Sequence, residues 1–196
     1  MSTRNASATT TNAAVPSPAD APPSPSALQM RVATPSPNDE EMVLEMIQAF
    51  YAEEQIVFVE ERARRAVRQL TRQPECGAVL LFTLPKPAGG CGCGGNGDGG
   101  EPCCDTEVIA GYAVATIGFT LEHGGRLVLL DEFYLRRFTR GRGCGQQALS
   151  LVKNWARERG VEALRLEVHH HNLRAKAIYE KAGFQNDHRD LMTFWL

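Results

Sequence analysis

Residues 28–196 predict an α/β domain, because apolar runs with strand character alternate with helical segments whose apolar residues share one face. Glycine and proline punctuate the chain between these runs, and one glycine-rich turn stands directly between a strand-like run and a helix-like run. The 196 residues suffice for one such domain plus appendages.

Order is expected to begin at LQMRVAT, residues 28–34, as a short strand. Ser36-Pro37-Asn38-Asp39 reads as a helix start, with a hydroxyl cap, a proline in the first turn and an acid against the positive dipole end. Val43, Met46, Ile47 and Phe50 follow at helical spacing. A second helix is expected over 59–72, ending before Pro74, with Ala63, Ala66, Val67 and Leu70 inward. AVLLFTL (78–84) and EVIAGYAVATIGF (107–119) read as a hairpin around a flexible Gly/Cys-rich insertion at 85–105. RLVLLDEFYLR (126–136) is a central strand, followed by the glycine turn and a helix to about Arg159, stopped by Gly160. ALRLEV (163–168) is a further strand, Asn172 to Lys181 a helix ended by Gly183, and DLMTFWL (190–196) a last strand. Residues 1–27 lack aromatics, are rich in Ser, Thr, Ala and Pro, and cannot bury enough surface to offset chain entropy, so a disordered tail is expected there.

Hydrophobic residues make up 43% of the chain and charged residues 22%, as in ordinary globular proteins. The net charge of −2 argues against a general polyanion binder, so any anion site must be local. No apolar run approaches bilayer-spanning length, and no secretory core precedes the domain. Of six cysteines, four crowd into the glycine tract, which is no disulfide framework; a reducing, cytoplasmic setting is expected.

The turn is Arg140-Gly141-Arg142-Gly143-Cys144-Gly145. A helix start exposes unpaired N–H groups and the positive dipole end, and glycines before it admit a bulky anion. Two arginines add donors suited to phosphate oxygens. The turn therefore reads as a pyrophosphate cradle, although it matches neither the dinucleotide fingerprint nor the P-loop.

Arg140 to Gly145 fits the pattern Arg/Gln-x-x-Gly-x-Gly/Ala, LLDEFYLRRFTRGRG precedes it, and NLRAKAIYEKAGF follows with Asn172, Ala175, Tyr179, Gly183 and Phe184 spaced as N-x-x-A-x-x-x-Y-x-x-x-G-F. In these three linked pieces the chain resembles the GNAT superfamily of acyl-coenzyme A-dependent N-acetyltransferases, over about residues 28–196. The resemblance implies a twisted, mixed, mostly antiparallel sheet of about six to seven strands with helices on both faces. It further implies a V between the strands at 126–136 and 162–168 that admits the pantetheine arm. Acetyl-CoA is the implied co-substrate and an amine the implied acceptor: a small amine or polyamine, or a protein lysine or N-terminus.

Such chemistry needs a base, because an alkylammonium is almost wholly protonated near neutral pH, and a donor for the tetrahedral oxyanion. Neighbours on a strand face opposite ways, so at most one of Asp131 and Glu132 faces a cleft; Glu132 is the expected base by its place in the family-like pattern. Tyr179 matches the tyrosine that protonates the leaving sulfur, and Asn172 a residue that binds the cofactor arm, although Asn172 also suits a helix cap. The expected cofactor contacts are Phe133, Tyr134, Leu135, Arg140, Gly141, Arg142, Gly143, Cys144, Gly145, Gln146 and Asn172.

No metal is expected. Cys91, Cys93, Cys103 and Cys104 lack zinc-site spacing, and His169, His170 and His171 diverge as neighbours. Arg62, Arg64, Arg65 and Arg68 read as a solvated helix face, while Glu53 and Glu54 lean toward a cationic acceptor. A non-catalytic acyl-CoA-binding or sensing module is the alternative. Neither nucleic acid nor a membrane surface is an expected partner, and a homodimer remains an open assembly state.

Overall fold

The computed structural model describes residues 28–85 and 107–195; the expected tail at 1–27 and all but Pro85 of the expected insertion, with its four cysteines, lie outside them. The elements follow the order β1 (Gln29–Val32), α1 (Pro37–Glu54), α2 (Glu60–Arg72), β2 (Gly77–Pro85), β3 (Glu107–Thr120), β4 (Gly125–Leu135), α3 (Cys144–Glu158), β5 (Ala163–Leu166) and α4 (Leu173–Lys181). The five strands form one sheet in the order β1-β2-β3-β4-β5. The first four pair antiparallel and β5 joins β4 in parallel.

Helix α1 starts where its cap chemistry dictates: the Ser36 hydroxyl accepts from the Asp39 N–H at 3.2 Å, with Pro37 in the first turn. Asp39 is buried and accepts two bonds from Arg31, at 2.7 and 2.8 Å, and two from Thr34, which tie α1 to β1. That guanidinium pulls the Asp39 carboxyl down to about 2.

Two apolar layers sandwich the sheet. On one face Val43, Met46 and Ile47 of α1 and Val67 of α2 pack on Val79, Leu81, Tyr112 and Tyr134. On the other Ala148, Leu149, Val152 and Trp155 of α3 pack on Leu80, Phe82, Ala113, Ala115, Val128 and Leu130. Helices thus cover both faces, as expected. On α2, Arg64 and Arg68 are not simply solvated: both pair with Glu40 and Arg64 also with Glu41, which ties α2 to α1, while Arg64 pairs with Glu60 within α2.

Two expectations fail. The sheet has five strands among the described residues rather than six or seven, and DLMTFWL forms no strand within residues 190–195. Strand β5 offers a template of only four residues. The charges ahead of the segment bind elsewhere: Arg189 pairs with Glu122 after β3, and Asp187 approaches Arg165 at 3.9 Å. Leu191, Met192, Phe194 and Trp195 are left exposed.

Candidate active site

A register shift in β4 determines which acid faces inward. Val114 pairs with Glu132, but the next β3 residue, Ala115, pairs with Leu130, so Asp131 is an extra residue on β4. Val128 and Leu130 consequently pack toward α3, whereas Glu132 and Tyr134 lie on the α1/α2 side with Val114 and Tyr112. Asp131 is exposed and Glu132 is half-buried. Of the two candidate acids, Glu132 is the one turned into the molecule.

The Glu132 carboxylate is held by two phenols. Tyr51 of α1 donates to Oε1 at 2.7 Å, and Tyr112 of β3 donates to Oε2 at 2.6 Å. Burial pushes the Glu132 carboxyl above the usual carboxylate range; the two phenol hydrogen bonds oppose this only in part. Burial and the adjacent carboxylate push both phenols above the ordinary tyrosine value, so they remain donors. Neither tyrosine was legible as a site residue. Tyr112 sits in an apolar run that reads as plain core, and Tyr51 lies 81 positions from its partner.

Strand β4 also supplies an open edge. Its pairing with β5 ends at Leu130 with Leu166, while β4 continues to Leu135. Residues 131–135 therefore have a strand partner on the β3 side alone, at the place where the V was expected. Phe133 and Leu135 pack on the α3 side, where Phe133 meets Phe82 edge-on at 5.9 Å; Tyr134 is buried on the other side.

Beyond β4 the chain makes one short helical turn at Arg137–Thr139 and reaches α3 through the glycines. Gly141 and Gly143 have φ of +75° and +77°, which glycine adopts without strain, and a Cβ at either would meet nothing within 4 Å. Gly143 caps α3 without a side chain. Among the described residues, the N–H groups of Gly141, Arg142, Gly143, Cys144 and Gly145 find no acceptor in the chain. Gly141, Arg142 and Gly143 are exposed, with the positive end of the α3 dipole behind them.

The arginines differ in their commitments. Arg142 is exposed and free of partners among the described residues, available to an anion. Arg140 is engaged: it donates to the Leu135 carbonyl at 3.0 Å and to Glu53 at 2.7 Å, with its guanidinium over the Tyr134 ring. Arg137 holds the other Glu53 oxygen at 3.2 Å. Glu53 therefore braces the turn against α1 instead of presenting a free charge to a cationic acceptor. Gln146 is exposed in the first turn of α3, and Cys144 is buried beneath it.

Tyr179 of α4 packs edge-on against Phe184 at 5.9 Å, and its hydroxyl has no hydrogen-bond partner among the described residues. Burial pushes this phenol above the ordinary value of 10.0, so it stays protonated. Asn172 caps α4, its Oδ1 accepting from the Ala175 N–H at 3.1 Å. His169 and His171 stack on one another at 5.2 Å, and among the described residues no group of three or more His, Cys, Asp or Glu could hold a metal ion.

Residues 43–184 match the family described as "Acetyltransferase (GNAT) family". Two Bacillus subtilis (strain 168) proteins are similar over shorter stretches: the uncharacterized N-acetyltransferase YhfO, 32% identical over 62 residues, and the uncharacterized N-acetyltransferase YycN, 38% identical over 64. These alignments cover 32% and 33% of this chain, and the chain spans 42% and 41% of the two relatives' lengths. An integron cassette protein from the mobile metagenome of Cole Harbour Salt Marsh superposes with a TM-score of 0.64 at 28% identity, covering 86% of this chain and 90% of its own. Matched over most of its length, with a split β4–β5 pair and a bare glycine turn before α3, this chain belongs to the acetyltransferase (GNAT) family.

Proposed function

We propose that the protein transfers an acetyl group from acetyl-CoA to a primary amine by direct attack within a ternary complex. The carrying observation is the setting of Glu132: an inward-turned carboxylate, raised above its usual range by burial, beside the unpaired edge of β4. The diphosphate sits on the free N–H groups of residues 141–145, with Arg142 and Gln146 beside it. The pantetheine arm lies along residues 133–135, where backbone donors polarise the acetyl carbonyl, and Asn172 binds the arm from α4.

Glu132 takes one proton from the ammonium, leaving a neutral amine with a free lone pair. Nitrogen attacks the thioester carbon, and the resulting oxyanion is stabilised from the β4 backbone. As the carbon–sulfur bond breaks, the Tyr179 phenol gives its proton to the departing thiolate, and the second proton leaves the nitrogen to solvent, from which the phenolate is reprotonated. Cys144 takes no covalent part, being buried under the helix start. The acceptor enters from the α1/α2 side, past Tyr51 and Phe58, whose ring faces suit a cationic amine. A small amine, a polyamine, or a lysine or N-terminus of a protein fits this entrance.

A thiol-release screen with acetyl-CoA against amines and peptides tests the reading. Release should be accelerated by at least one acceptor, and Glu132→Gln should lower kcat/KM by about 10²–10³-fold. Tight coenzyme A binding with no acceleration by any acceptor would instead indicate a non-catalytic sensing module.

A further inference from the structure

Among the described residues, no cation pairs with Glu132. The contrast with Asp39 is informative. Asp39 meets a guanidinium and is pulled down to about 2, whereas Glu132 meets only neutral donors and is raised by burial. A buried carboxylate without a counter-charge is costly for stability, and an apolar residue would fill the same space at less cost. Neutral donors leave such a group able to take up a proton; an arginine would suppress that ability.

We infer that Tyr51 and Tyr112 are positioning residues for the Glu132 carboxylate, one phenol on each oxygen holding it in its charged form and in one orientation toward the open edge of β4. The inference rests on Glu132 acting as the base. Each carboxylate oxygen accepts one phenol and keeps a further lone pair for the incoming ammonium. Tyr112 is wholly buried, so it fixes the inner oxygen; Tyr51 is half-buried and borders the acceptor's entrance. The remaining groups facing this cluster are Asp131 and Tyr134 on β4 and, bearing on Tyr51 from α2, Arg62. None of them replaces a lost phenol hydrogen bond to the carboxylate.

The full-length protein labelled with ¹³C at the glutamate carboxyls gives a direct test, because it needs no acceptor. The titrating resonance absent in Glu132→Gln belongs to Glu132. In Tyr51→Phe and Tyr112→Phe its midpoint should rise by about one pH unit, since each variant removes a hydrogen bond that favours the charged form. The acid limb of kcat/KM should move to higher pH in parallel. Thermal melts confirm that each variant is folded, and Tyr51→Phe, at the less buried position, retains the test if Tyr112→Phe does not fold. Midpoints unchanged or lowered in the folded variants would overturn the inference, even with Glu132→Gln inactive. Full turnover in Glu132→Gln would instead overturn the base assignment, whatever the midpoints do.

Discussion

In the proposed reaction Glu132 accepts a proton and Tyr179 donates one, and burial raises the proton affinity of both. Burial raises the Glu132 carboxyl, which improves its affinity for a proton. The proposed base must be ionised to act, so kcat/KM should fall as pH drops through the raised Glu132 value, and a pH–rate profile checks this. Burial also raises Tyr179, so the phenol stays protonated and the alkaline limb should lie above the ordinary value of 10.0. Tyr179→Phe should lower kcat by about 10–100-fold while coenzyme A affinity, read by calorimetry, stays within about twofold. Equal losses of affinity and rate would make Tyr179 a packing residue only. Tyr179 is picked out in the sequence only by its place in the family-like pattern N-x-x-A-x-x-x-Y, from which its proposed role comes. Tyr51 and Tyr112 are not picked out, because no periodicity links α1 to β3.

At the scale of elements, the β4 register shift does the most. Period-two alternation in LVLLDEFYLR separates Asp131 from Glu132 but does not reveal that Asp131 is the extra residue. That depends on how β3 pairs with β4, which no local pattern records. The helix starts and stops were more legible, because caps are chemical: Ser36 and Asn172 cap α1 and α4. The last expected strand failed because an apolar, β-prone run needs an edge to pair with, and the β5 edge is short. The α1–β1 junction carries a separate prediction. Asp39 has its folded-state value lowered to about 2, below its unfolded value, so its contribution is present above about pH 4 and is lost as pH falls toward 2. Asp39→Asn should cost about 2 kcal/mol in denaturant unfolding at neutral pH and almost nothing near pH 2.

Over the whole molecule, a slightly acidic chain places its proposed diphosphate cradle at one helix start, while the two proposed proton-handling groups lie on opposite faces of the sheet. Glu132 lies on the α1/α2 side, and Tyr179 packs with the α3 layer. The proposed direct transfer would join the two sides without a covalent enzyme intermediate. Mass spectrometry after incubation with acetyl-CoA alone should therefore find the chain unmodified, Cys144 included. The central claim is that the bare N–H groups at the start of α3 hold the diphosphate of a coenzyme A thioester. Gly145→Asp tests it most directly, because an acid in the first helical turn favours the helix by about 0.3–1 kcal/mol yet opposes a bound phosphate. Calorimetric titration with coenzyme A should show affinity at least about tenfold weaker in this variant, with its melting temperature unchanged or higher. Undiminished affinity in a folded Gly145→Asp protein would contradict the account.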